Sequence, residues 1–467
     1  MAQVPILKGI YSNSGPDFRT AYPVNLVPVP KSTGISEEYL RPADGIVQNG
    51  TGPGIDRGGI NWNGSCYRVM GTKLVRVLPT GDVYTIGDVG AGGRVSFTYS
   101  FDRLAIASGG RLYHSTGSSL TQITDSDLGA VVDVIWVDGY FMTTDGTYLV
   151  TNDLNAPTSI PGLYGVSEAD PDRIVALAKL RNEVYALNRY TIEAFDNVGG
   201  TLFPFQRIEG AQIQKGCIGT QARCVYADRI AFLGSGRNEA PGIYLGANAV
   251  ANKISTSEID ALLLEYTEAE LATAFLEARN DKAGQFLLVH LPDRTLVFDG
   301  AASQESQDGL LWHVLTTSTS GFSKYRASGL VWCYDKWLVG DPSSSAVGYL
   351  SQDVSSHWGQ KVRWEFSTPV AYNGGKGALV NALELVALSG RVSSSDDPTI
   401  ATSYSTDGVN WSQDKWVSSG ATGDRAKRLV WLRQGLIRPW RVQRFKGDSS
   451  SHLTFARLEV EVEPLAV

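Results

Sequence analysis

From about Gly59 to Gln352 the chain repeats one pattern: a short apolar run, a tight turn, and a second apolar run, often with aromatics. Residues 66–75 read Cys-Tyr-Arg-Val-Met-Gly-Thr-Lys-Leu-Val. Residues 104–113 read Leu-Ala-Ile-Ala-Ser-Gly-Gly-Arg-Leu-Tyr, and 134–142 read Val-Ile-Trp-Val-Asp-Gly-Tyr-Phe-Met. Short β-rich runs joined by glycine turns predict hairpins. Asp-Gly begins at 44, 138, 145, 299, 308 and 407, and Asn-Gly at 49, 63 and 373. These dipeptides supply the positive φ that two-residue hairpin turns require. Hairpins recurring along some 300 residues predict an irregular β-propeller of six or seven blades, because radial repetition leaves only short strand edges.

One stretch breaks the β pattern. Ser255-x-x-Glu258 has the form of a capping box, and Ile259, Leu262, Leu263 and Tyr266 follow at helical spacing. A second box, Thr267-x-x-Glu270, precedes Leu271, Ala274, Phe275 and Ala278. The expectation is two short amphipathic helices inserted over about 255–280. They either cover the side of the propeller or contact another subunit.

The flanks differ. Pro5, Pro16, Pro23, Pro28, Pro30 and Pro42 interrupt any helix near the start and predict an extended arm over residues 1–58. Beyond about His357, strand-like runs at 362–366, 382–388, 400–404, 428–432, 438–445 and 453–462 alternate with turn signals. They predict a β-sandwich over 357–467, with the propeller occupying 59–356. The fold class is therefore all-β.

Composition narrows the function classes. The 467 residues are 43% hydrophobic and 19% charged, ample for a packed core, and the 50 glycines fit a turn-rich architecture. A net charge of −7 argues against a basic nucleic-acid clamp. No apolar run reaches membrane-spanning length, and residues 1–15 lack the pattern of a secretory signal. Cys66, Cys217, Cys224 and Cys333 are scattered, as expected of free thiols in a reducing compartment, and the five histidines show no metal-ligand spacing. No metal, cofactor or catalytic residue is expected.

Three motifs invite chemistry. Gly87-Asp-Val-Gly-Ala-Gly-Gly93 looks like a phosphate loop but leads into a strand-like run, so a turn between blades is expected. Tyr404-Ser-Thr-Asp-Gly-Val-Asn-Trp411 resembles the Asp-box hairpin of sialidase-type propellers, one residue short. Arg425, Lys427, Arg428, Arg433, Arg438, Arg441 and Arg444 cluster with Trp431 and Trp440 and only Asp424 opposing them. These are the residue types of a DNA or subunit contact, though their mixed parity on strands splits them between two faces.

Short motifs in one order along the chain carry a resemblance. They include Asp17-Phe-Arg19, Pro23-Val-Asn25, Tyr67-Arg-Val69, Gly93-Arg-Val-Ser96 and Lys215-Gly216. Tyr266-Thr-Glu-Ala-Glu-Leu-Ala272, His290-Leu-Pro292, Val297-Phe-Asp299 and Thr406-Asp-Gly408 follow. The sequence resembles the tail hub, or nozzle, proteins of Salmonella-type short-tailed phages, also called packaged DNA stabilisation proteins. The resemblance implies a non-enzymatic virion tail component, assembled in the bacterial host cytoplasm without membrane insertion by this chain. It implies a homo-hexameric ring below the portal and head-to-tail adaptor. Such a ring extends the channel for passing double-stranded DNA, retains the packaged genome, and docks the plug or needle and the tailspikes or fibres.

The charge fits that reading, since six copies at −7 sum to about −42 and favour sliding over sticking. Phe18 and Arg19 in the arm, and Ile259, Leu263, Tyr266, Leu271 and Phe275 in the helix pair, are the candidates for subunit or adaptor contact. The alternative, from the Asp-box-like turn and the many tryptophans, is a virion glycan-binding propeller or glycosidase. It requires carboxylates and arginines converging in a pocket at the blade centre.

Overall fold

The computed structural model describes residues 2–4, 6, 9–12, 18–31, 33–168, 170–282, 284–306, 309–391, 398–438 and 440–465, without the side chains of 2, 9–12 and 18–20. Seven sheets of four or five strands follow one another along 56–351, each built as successive antiparallel hairpins. Blade 1 runs from strand Asp56–Trp62 to Val83–Asp88, blade 2 from Ser96–Tyr99 to Leu120–Ile123, and blade 3 from Asp133–Val137 to Tyr164–Val166. Blade 4 runs from Ile174–Leu180 to Phe205–Arg207, and blade 5 from Gly216–Cys217 to Val250–Lys253. Blade 6 runs from Phe275–Asp281 to Trp312–Leu315. Blade 7 takes Ser328–Cys333, Lys336–Gly340 and Ala346–Ser351 from one end of the domain and its outermost strand, Gly45–Thr51, from the other. That exchange closes the ring, and the inner strand of blade 7 lies beside that of blade 1.

The turn chemistry explains the hairpins. Asn63 and Gly64 (φ 49° and 71°) connect Trp62 to its partner Ser65, and Asp138 and Gly139 (φ 47° and 90°) connect Val137 to Tyr140. Asn49-Gly50 lies within the strand Gly45–Thr51, which Asp44-Gly45 opens, and Asp299-Gly300 also departs from this pattern. The Asp299 carboxylate accepts from the Ala302 amide and caps a short helix, Gly300–Glu305, where a turn was expected.

The C-terminal domain is a two-sheet sandwich. One sheet has the order Leu26–Val29, Tyr39–Pro42, Thr454–Pro464, Ala378–Leu388, Leu429–Ile437, with Ala2–Val4 also on Thr454–Pro464. The other has Arg363–Ser367, Trp440–Asp448, Thr399–Ser405, Lys415–Ser418, with Ala371–Tyr372 also on Trp440–Asp448. Leu26, Leu40, Trp364, Phe366, Trp431, Phe445 and Phe455 form the core between them.

The segment 1–58, expected as an extended arm, is thus woven through both domains. It supplies sandwich strands, the closing strand of blade 7 and the start of blade 1. Pro28 is accommodated because it lies in Leu26–Val29, the edge strand, where a missing N–H costs no ladder bond.

The helix pair forms where expected but with different limits. The first helix, α1 (Ser257–Leu263), is capped by Thr256 and not by Ser255. The Ser255 hydroxyl instead donates to Asp260 and accepts from the Ile243 amide. The second, α2 (Glu268–Leu271), carries the Thr267–Glu270 capping box but stops at Leu271. Phe275 and Ala278, expected on that helix, lie in the inner strand of blade 6. Pairing with the strand Gly284–His290 overrides the helical spacing there.

Candidate assembly surfaces and the filled propeller axis

The inner strands carry charges that reach across the propeller. Arg94, leading into blade 2, donates to Glu277 of blade 6 at 2.9 Å. Glu277 also accepts the Gly329 and Leu330 amides of blade 7 at 2.7 and 3.2 Å. The Arg94 guanidinium lies 3.6 Å from the centre of the Phe275 ring. Burial pushes the Glu277 carboxyl up, but His290, Arg94 and the amides outweigh it and hold it at about 2. Arg223 of blade 5 donates to Asp133 of blade 3 at 2.6 Å, and that carboxylate accepts the Leu177 amide of blade 4. Gln221 reaches Ser96 at 2.8 Å, joining blades 5 and 2.

Contacts between non-adjacent blades have to cross the central opening, so the axis is filled by protein. Arg68 is fully buried, ion-paired with Asp56 at 2.8 Å, and donates to the carbonyls of Ser328 and Gly329. Carboxylates and arginines do converge at the blade centre, as the glycosidase reading requires, but they are bound to one another. Among the described residues no three His, Cys, Asp or Glu side chains form a metal-binding group.

The two loop motifs have structural partners. Arg57 is buried and donates to the carbonyls of Gly71, Gly90 and Gly93 and to the Ser108 hydroxyl. The glycine loop therefore wraps a guanidinium with carbonyls, the opposite polarity to a phosphate cradle. In the Asp-box-like turn, Asp407 accepts the Val409 and Asn410 amides and the Ser405 hydroxyl. Trp411 packs under Arg444, whose guanidinium lies 3.9 Å from the ring centre.

The basic cluster on the sandwich divides. Arg425, Arg433 and Arg438 are exposed and Lys427 is half-buried. Arg428 is exposed but paired with Glu384. Arg441 points inward: it is 3% exposed and donates to Gln443 and to the Gln434 carbonyl. Burial pulls its pKa down to about 10. As a DNA or subunit contact Arg441 is therefore corrected to a core residue, because strand alternation turned it away from its neighbours. Arg444 faces a cleft at the junction of the two domains.

The helix-pair candidates also turn inward. Ile259, Leu263 and Leu271 are buried in the main propeller core, and Phe275 is buried against His290. An amphipathic helix buries its apolar stripe in its own domain when a core is available, so these four are corrected from contact residues to core residues. Tyr266 is half-buried and donates to the Asp293 carboxylate, while Leu264 is exposed. Phe18 and Arg19 lie in the backbone strand Phe18–Ala21, and their side chains fall outside the described residues.

Beside α1 a cleft of about 440 Å³ opens between blade 6 and the sandwich. Arg294, Arg363, Arg444, Phe322 and Trp411 line it, with Glu258, Glu265 and Glu365 at intervals.

Comparison with known proteins agrees with this architecture. A family model described as bacteriophage P22 Gp10, beta-propeller, matches residues 2–355, and its companion, bacteriophage P22 Gp10, beta-sandwich, matches 363–463. The chain belongs to this family. A curated relative, the tail hub protein gp10 of Salmonella phage P22, is 28% identical over 489 aligned positions, covering 99% of each chain. Among solved structures, the Neurospora crassa Pan2 WD40 domain is similar with a TM-score of 0.43 and 12% identity, covering 66% of this chain and 95% of that one. The N-terminal domain of Nup159 is similar with a TM-score of 0.40 and 9% identity, covering 69% and 97%. Family membership makes the chain a tail hub protein of the phage virion tail.

Several residues that organise the molecule escaped the linear reading. Asp56, Arg68, Asp133 and Glu277 each interrupt a β run with a charge, and that was the available signal. The cleft residues Arg294, Phe322 and Arg363 lie on separate loops and strand ends, and nothing local in the sequence joins them.

Proposed function

We propose that the chain is the nozzle ring of a short-tailed phage, six copies extending the DNA channel below the portal and adaptor. In this reading the ring retains the packaged genome, docks the plug and the tailspikes or fibres, and has no enzymatic activity. The observation that carries it is the filled axis in a chain related along its whole length to a tail hub protein. A duplex has no path through a propeller closed by Arg94–Glu277 and Arg223–Asp133, so its path lies between copies. The exposed Arg425, Arg433 and Arg438, with the half-buried Lys427, then face either the DNA or a neighbouring copy. The buried pairing of Glu277 and Asp133 also counts against a glycan-cleaving centre on the axis.

The test uses DNA-filled particles that carry portal and adaptor but lack their hub. Adding the protein should slow DNA loss several-fold and place several copies on each particle. Unchanged leakage with the protein bound would overturn the retention role. Binding of a single copy would overturn the ring.

A further inference from the structure

The sandwich is packed unevenly along its length. Toward the propeller, Trp364, Phe366, Phe445 and Phe455 fill the space between its two sheets. At the far end the side chains are shorter, and the described residues leave a cavity of about 400 Å³. Val380, Leu383, Ile437, Leu458, Val460 and Val462 give it apolar walls. Tyr372 and Val462, both exposed, stand at its mouth. Among the described residues that line it, Arg441 is the only charged one, and none is a carboxylate. The strand Trp440–Asp448 brings Arg441 there. Asp448 pairs with Arg363 at the propeller end, and Arg441 pairs with Ala371 at the other. Strand alternation turns Arg441 inward together with Gln443 and Phe445.

The guanidinium is buried with its charge uncompensated. Nε and one terminal nitrogen donate to the Gln443 side-chain carbonyl at 2.9 and 2.6 Å. The other terminal nitrogen donates to the Gln434 backbone carbonyl at 2.7 Å, and the Tyr404 ring centre lies 4.2 Å away. All of these partners are neutral. Burial pulls the Arg441 pKa down to about 10, and only Tyr404 opposes it. A guanidinium carries five N–H groups, so one on each terminal nitrogen is left over. Two spare N–H groups on one planar cation suit a carboxylate, and a buried ion is costly until an opposite charge meets it.

The cation and the walls together select one class of ligand. Arg441 repels a cationic head and gives a neutral one no charge to meet. Inorganic phosphate or sulfate gains nothing from the apolar walls. A carboxylate on a hydrocarbon chain satisfies both, and a cavity of this size with few convergent polar groups has the form of a small-molecule site. We propose that the cavity binds a medium-chain fatty acid, with its carboxylate on Arg441 and its chain along Val380, Leu458 and Val460. The site lies within one subunit and stands apart from the ring reading.

The test is titration calorimetry of the full chain with decanoate, decanol and decyltrimethylammonium, each below its micelle-forming concentration. Decanoate should bind at a single site, about tenfold more tightly than decanol, as a charge-assisted hydrogen bond implies. Decyltrimethylammonium should bind more weakly than either. Arg441→Met should erase the preference for the acid over the alcohol. Because Arg441→Met also strips Gln443 and the Gln434 carbonyl of their donor, a second variant leaves Arg441 in place. Val462→Trp, at the exposed mouth, should fill the cavity and lower decanoate affinity by about tenfold. Equal binding of acid and alcohol by the parent chain would overturn the proposal, as would the absence of saturable decanoate binding. Undiminished binding by Val462→Trp would overturn this location. Exclusion of decanoate once the chain sits on adaptor-bearing particles would show a neighbouring protein in the cavity and overturn the free acid as its ligand.

Discussion

His114 is buried in blade 2, 4.8 Å from Phe141 between ring centres, and neither ring nitrogen has a hydrogen-bond partner. Burial, with a smaller contribution from Arg103, pulls its pKa down to about 4. His290, His313 and His357 are likewise buried, and burial lowers each of them. Below about pH 6.5 the unfolded chain takes up protons that the folded imidazole refuses, so stability is present above that pH and is lost as pH falls. His114→Phe, which keeps an aromatic ring in the site, should therefore stabilise more at pH 5 than at pH 8. The difference should be roughly 2 kcal/mol, read from urea melts at the two pH values. Equal effects at both pH values would refute a neutral buried His114. At this scale the sequence showed residue type and strand parity but not which face is turned inward. Arg441 and Arg444 stand three apart on one strand, so their parity puts them on opposite faces but does not say which face is buried; one is buried beside Gln443 and the other faces a cleft.

The elements were legible where the signal was local. The Thr267–Glu270 capping box holds as read, with the hydroxyl and carboxylate each satisfying a backbone amide. The six strand-like runs expected beyond His357 each overlap a sandwich strand, while Lys415–Ser418 and Ala371–Tyr372 had no such run. The N-terminal prolines were less informative, because they mark where helices are forbidden and not which sheet receives the strand. Leu26 and Leu40 carry no periodic pattern, yet both are buried in the sandwich core beside Trp364 and Phe455. Deleting residues 1–44 should therefore unfold or loosen the sandwich and not merely free an arm. The measurement is tryptophan emission, since Trp364 and Trp431 report that core. A red shift and a lower melting temperature are expected, and unchanged emission with unchanged melting would refute the assignment.

At the scale of the whole molecule Asn25 is one of the residues that join the domains, beside Val24, whose amide donates to the Glu365 carbonyl. Asn25 adopts φ 52° and donates from Nδ2 to the carbonyls of Thr316, after blade 6, and Arg363, at the start of the sandwich. Its Oδ1 accepts the Thr316 amide at 3.0 Å, and its own amide donates to the Val314 carbonyl. Asn25→Ala leaves these buried partners unsatisfied at a left-handed position, at a cost of about 2–4 kcal/mol. Calorimetry should then resolve two transitions where the parent shows one. Asn25→Gly, which relieves the backbone but not the bonds, should also separate them. A single transition in both variants would show that Asn25 does not couple the domains.

What the sequence by itself determined was whatever depends on near neighbours: the hairpins at Asn63-Gly64 and Asp138-Gly139, the Thr267–Glu270 capping box, and the all-β class with its two domains. It also carried the family, because motifs in order along a chain are themselves linear. Tertiary structure alone decided the seven-blade closure by Gly45–Thr51, which joins residues some 300 positions apart. It alone brought Arg94 to Glu277, so that the axis is filled, and Arg294, Arg363 and Arg444 to one cleft. Chain closure and strand facing are properties of packing, and a charge reveals whether it is paired, buried or free only when its spatial neighbours are fixed.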